Sequence, residues 1–152
     1  MHIEKLKQFG EAEQLNDKFV KKLQEQLNAK ADQLTNEARA DFEIFFTEQG
    51  FSIESGDSFN TTAVYGKAKV QLSYDVPFKF IGGAQIFDIT EHSTSVDKHR
   101  IFLKTAKVQA SAESRLKNLD NETWFFHLLK PDGSYEYFKS MSEVLNYIFI
   151  SN

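Results

Sequence analysis

The chain has 152 residues, a formal net charge of −4, 41% hydrophobic and 26% charged residues, and no cysteine. A chain of that size fits one domain around a single core, and its composition is globular rather than disordered. The absence of cysteine excludes disulfides, thiol nucleophiles and cysteine-ligated zinc or iron.

Fifteen Phe against two Met and one Trp predict a core packed by flat rings. Residues 11 to 48 hold nine acids and five bases, whereas residues 49 to 108 hold six acids and seven bases. Neither segment has the basic density of a nucleic-acid footprint, and the first is too balanced for a DNA mimic. The opening MHIEKLKQFGEAEQ lacks the apolar run of a signal peptide, and no segment reaches the roughly eighteen apolar residues of a membrane span. A cytoplasmic protein without a membrane partner is the expectation.

Residues 2 to 9 fit about two helical turns closed by Gly10. From Glu13 to Glu48 there is no Gly or Pro, and apolar residues recur in steps of three and four at Leu15, Phe19, Leu23, Leu27, Ala31, Leu34, Ala38, Phe42 and Phe45. One helix over that span is about 50 Å long, more than a domain of this size is wide. Either it breaks, with the weakest propensity at residues 28 to 32, or its front part projects as an arm within residues 1 to 30. The stripe turns from Leu-rich to Phe-rich at FEIFF, residues 42 to 46, so the second half is expected on the domain's own core. The first half folds back on the domain or meets another chain. Its candidate contact positions are Leu15, Phe19, Leu23 and Leu27, with Lys22 and Glu25 at the rim.

Gln49-Gly50 stops the helix, and a short strand and turn follow. Residues 61 to 74 alternate, with Val64, Gly66, Ala68, Val70, Leu72 and Tyr74 on one face, which predicts one half-buried strand ended by Asp75-Val76-Pro77. A turn at Gly82-Gly83, a strand over residues 84 to 90, a polar loop EHSTSVDKH and a strand over residues 99 to 108 come next. Ser111 opens a polar helix of about two to three turns. WFFHLL and SYEYF form a hairpin around Pro131-Asp132-Gly133, where Pro suits the second turn position and Gly tolerates positive φ. Ser140 and Glu143 make a capping box before a closing helix.

Short strands on short connections favour antiparallel order. The expected fold class is α+β: a long N-terminal helix packed on a single antiparallel sheet of about five strands, with a short helix before and after the C-terminal hairpin. Residues 1 to 152 form a single domain. Both faces of WFFHLL are apolar, so the sheet is expected to be covered there on both sides, by the long helix and the C-terminal one.

Most catalytic chemistries lack their residues. The hairpin rings have only Lys130 and Lys139 close in sequence, too few cations for a base-stacking platform, so a nucleic-acid partner is not expected. Glu91-His92 and Asp97-x-His99 share a loop, but with His2 and His127 elsewhere no HxH or HxxxH spacing arises, and neither a metal nor another cofactor is expected. His92-Ser93-Thr94 fits one HxT element of two-histidine phosphoesterases, and HLL at His127 does not supply the second. A restriction-type nuclease needs an acid and an acid-x-Lys on adjacent strands to hold Mg²⁺. Asp75 or Asp88 fits the first, but Phe102 stands two before Lys104. There is no P-loop and no G-x-S-x-G elbow.

The element order and acidity are similar to those of small bacterial secretion chaperones and toxin-neutralising proteins, with no motif shared. The expected function is a non-enzymatic protein-binding module, such as an inhibitor, immunity-type or adaptor protein. It acts through helix and sheet surfaces on another protein or on a second copy of itself. The alternatives are a metal-dependent hydrolase or nuclease built on Asp75, Asp88, Lys104 and the His92/His99 loop, and a small-ligand pocket lined by Phe.

Overall fold

In the computed structural model, which describes residues 2–56, 59–74, 83–106 and 110–151, helix α1 runs without interruption over His2–Glu48. Gly10, expected to close a first short helix, lies inside it. A lone exposed glycine costs only about 1 kcal/mol relative to Ala, too little to break a helix this long. Nor does α1 break at residues 28 to 32, because Leu27 and Ala31 are buried across that stretch and packing outweighs weak propensity. Its 47 residues give a length of about 70 Å at 1.5 Å per residue. Gly50, at φ 87°, ends it. The Gly50 amide donates to the Thr47 carbonyl, the Phe51 amide donates to the Phe46 carbonyl, and the rings of Phe46 and Phe51 meet at 5.1 Å. That paired bond with its apolar contact is a Schellman stop.

Among the described residues seven strands, two more than expected, form one antiparallel sheet in which each pairs with its sequence neighbour. They are β1 (Ser52–Ser55), β2 (Asn60–Tyr65), β3 (Ala68–Tyr74), β4 (Gln85–His92), β5 (Val96–Thr105), β6 (Trp124–Leu129) and β7 (Tyr135–Phe138). The single strand expected over residues 61 to 74 is a hairpin. Gly66, at φ 59°, supplies the turn, Ala63 pairs with Val70, and Val64 faces the other way from Val70. The polar EHSTSVDKH segment is likewise mostly strand, since β4 runs to His92 and β5 starts at Val96. The expected strand end at Asp75-Val76-Pro77 and Gly82 of the expected turn lie outside the described residues.

The pairing registers put Ala63, Val70, Leu72, Phe87, Ile89, Ile101, Leu103, Phe126 and Leu128 on one face, all buried. Ala38, Phe42, Phe45 and Phe46 from the back of α1 pack onto that face, as do Met141, Val144 and Leu145 of helix α3 (Met141–Phe149). Ser140 caps α3 by accepting from the Glu143 amide, and the Glu143 carboxylate accepts from the Lys139 amide. Both helices therefore cover the same face, and the expectation of cover on both sides of WFFHLL does not hold. Parity explains it: residues 126 and 128 point under the helices, while residues 125, 127 and 129 point away.

Helix α2 (Ala112–Lys117) is shorter than expected and continues into a turn of 3-10 helix at Leu119–Asn121. Its Leu116, with Ala112, Leu119 and Trp124, covers Leu23, Leu27 and Ala31 of α1 in a second apolar cluster. Arg115 donates two bonds to the Glu122 carboxylate, at 2.8 and 2.9 Å, and so ties α2 to the segment leading into β6.

Candidate protein-binding surface

The first buried residue of α1 is Leu23. Ahead of it lie residues 2 to 22, a helical arm about 31 Å long at 1.5 Å per residue. The arm exposes Ile3, Leu6, Phe9, Leu15 and Val20, with Phe9 65% and Leu15 53% accessible. None of its charged side chains has an ion pair or side-chain hydrogen bond among the described residues.

The six positions singled out from sequence divide by burial. Leu15, Lys22 and Glu25 are exposed and Phe19 is half-buried, whereas Leu23 and Leu27 are each 1% accessible beneath α2 and Trp124. These two belong to the chain's own second cluster and not to an outer surface. Ile3, Leu6 and Phe9 escape the sequence reading because Gly10 signals a helix end, and Val20 because it stands beside the stripe of Leu15, Phe19, Leu23 and Leu27. Once α1 is continuous they join Leu15 on one helix.

A second apolar surface is the face of the sheet that no described helix covers. Phe102 on β5, Phe125 and His127 on β6, and Tyr135 and Tyr137 on β7 lie there, since Phe102 pairs with His127 and His127 with Tyr137. The His127 ring meets Tyr137 edge-on at 4.8 Å and touches Phe125 and Tyr135 more loosely. Its Nε2 is buried without a hydrogen-bond partner among the described residues. Burial first, and then the nearby Lys104 ammonium, hold the His127 pKa below its ordinary 6.5.

A lowered histidine pKa means that the unfolded chain takes the proton first as pH falls. The stability contributed by neutral His127 is complete above 6.5 and is lost as pH drops through the window below it. His127→Phe is therefore expected to flatten the fall in melting temperature between about pH 7 and pH 5. An unchanged slope in thermal melts would show that His127 does not carry that dependence.

Among the described residues, those that metal-dependent hydrolysis would need are not brought together. Despite partial burial, Asp88 has a pKa below the usual value because Arg100 bonds it at 2.9 Å and Lys98 lies 3.5 Å away. Lys104 stands four residues along β5 from Arg100, the residue that faces Asp88, which places it about 13 Å off at 3.3 Å per residue. His99, bonded to Glu91, and His92 lie on opposite faces of the sheet. Asp75 lies outside the described residues, and among those described no group of three or more metal-binding side chains occurs. Between α1 and the sheet, where a ligand lined by Phe was considered, Phe42, Phe46, Phe87 and Phe126 are buried members of one packed cluster.

No described helix is long and apolar enough to cross a membrane. No family model, curated protein or solved structure matches the chain.

Proposed function

We propose that the chain is a non-enzymatic, cytoplasmic protein-binding module, an inhibitor, immunity-type or adaptor protein, that engages another polypeptide through the front of α1. One observation carries the reading: twenty-one residues of continuous helix expose five large apolar side chains and bury none. Most helical stability in proteins comes from packing an apolar face, and this stretch buries no side chain of its own. A partner that covers the arm supplies that packing and removes an aggregation hazard. The ring-rich open face of the sheet is a further surface of the kind such partners use, since Tyr and Phe are enriched in interface cores.

The test compares the unsubstituted chain with a Leu6→Asp, Phe9→Asp, Leu15→Asp chain. The unsubstituted chain is expected to purify and sediment with a stoichiometric polypeptide, its own copy or another from the source cells, and the substituted chain is expected to sediment alone. Dilute samples of the two should melt within about 3 °C of each other, because exposed substitutions cost little. A melting temperature that falls as far as in a core variant would show these side chains to be internal, and would overturn the reading.

A further inference from the structure

Positions 5, 9, 12, 16, 19 and 23 of α1 follow one another in steps of four and three, the spacing of the seam in a two-helix coil. They are Lys5, Phe9, Ala12, Asn16, Phe19 and Leu23, with Leu6, Leu15 and Val20 on the seam's flanks. Most of the arm's charged side chains, among them Glu4, Lys7, Glu11, Asp17, Lys18 and Lys21, fall outside the seam and flanks. The seam is exposed or half-buried as far as Phe19, and at Leu23 it reaches the chain's own cover, since Leu23 packs with Leu27 and Ala31 under α2, Leu119 and Trp124.

We infer that the arm's partner is a second copy of this chain, laid antiparallel, a conclusion that rests on the reading of the arm as a binding surface. Three features of the arm select that occupant. First, a second helix running in the same direction meets α2 at Leu23 and brings its own domain to the same end, where Leu23 is already covered. An antiparallel copy brings only its tip to Leu23 and leaves its domain at the far end. Second, the seam is self-complementary about Gln14. Phe9 of one copy then lies against Phe19 of the other, Ala12 against Asn16, Leu6 against Val20, and Leu15 against Leu15. Third, the overlap stops where self-cover begins, because Lys5 falls opposite Leu23.

The paired stretch, residues 5 to 23, is about 28 Å long at 1.5 Å per residue. The interface is on the order of 1,000 Å², at the small end of specific contacts, so the dimer is reversible. The register also sets one like-charge pair, Glu13 facing its own copy across the two-fold axis. Glu13→Gln is therefore expected to tighten association roughly twofold.

The absence of cysteine permits a direct test of direction. In the proposed register Gln8 flanks Lys22 of the second copy, and both are exposed. Under mild oxidation a mixture of Gln8→Cys and Lys22→Cys chains is expected to give a covalent dimer, and neither variant alone should do so. The unsubstituted chain should approach twice its 17.5 kDa mass by sedimentation as concentration rises. Self-cross-linking of Gln8→Cys alone would overturn the antiparallel order. A monomeric mass at every concentration, with no cross-link from the mixture, would overturn the self-pairing. In that event, arm-dependent capture of a different polypeptide would leave the protein-binding reading standing, and its absence would remove both.

Discussion

Leu27→Ala is expected to destabilise the isolated chain by about 3 kcal/mol, the usual cost of emptying a fully buried leucine site that only partly collapses. Leu15→Ala, twelve positions earlier on the same helix, is expected to change stability by less than about 0.5 kcal/mol. The two differ because Leu27 is 1% accessible under Leu116, Leu119 and Trp124, whereas Leu15 is 53% accessible with no core around it. Urea unfolding of dilute protein checks both values. A substantial loss at Leu15 would place the arm inside the fold, and a negligible loss at Leu27 would mean that α2 does not cover α1.

Glu122→Ala is expected to cost about 3 to 5 kcal/mol, because it leaves the guanidinium of Arg115 buried without its partner. The Arg115 and Glu122 side chains are 8% and 7% accessible and share two short hydrogen bonds. The bond from Glu122, against the opposing effect of burial, raises the Arg115 pKa further, so the arginine cannot escape the penalty by losing its proton. Replacing both residues together, Arg115→Met with Glu122→Leu, should recover most of the loss, since an apolar pair of similar volume avoids the desolvation cost. Calorimetric melting of the single and double variants distinguishes the outcomes. A single variant that melts like the unsubstituted chain would show that the pair does not hold α2 in place.

The long helix and the polarity of its ends were legible because periodicity survives without tertiary knowledge: Phe42, Phe45 and Ala38 fall on one stripe, and all three are core. Its continuity was not legible. Gly10 and residues 28 to 32 carry local signals to stop, and the contacts that outweigh the second come from α2, about ninety residues later in the chain. The strand count failed for a related reason. Alternation runs unbroken in the text of residues 61 to 74, yet Gly66 adopts positive φ and reverses the chain, which shifts Val64 to the face opposite Val70.

The candidate surface was half legible. A stripe of Leu15, Phe19, Leu23 and Leu27 looks uniform in sequence, and what divides it is which side chains another element reaches. Leu23 and Leu27 meet α2; among the described residues Leu15 belongs to neither apolar cluster and is 53% accessible. The open ring-bearing face of the sheet escaped the sequence for the same reason, because apolar residues on both faces of β6 do not say which face a helix covers.

Amide hydrogen exchange along residues 5 to 20 most directly tests whether another polypeptide covers the arm. Slow exchange in concentrated, associated protein that gives way to fast exchange on dilution, while residues 31 to 46 stay protected throughout, is the predicted result. Slow exchange of the arm in a chain that sediments as a monomer, or fast exchange in the assembled state, would contradict it.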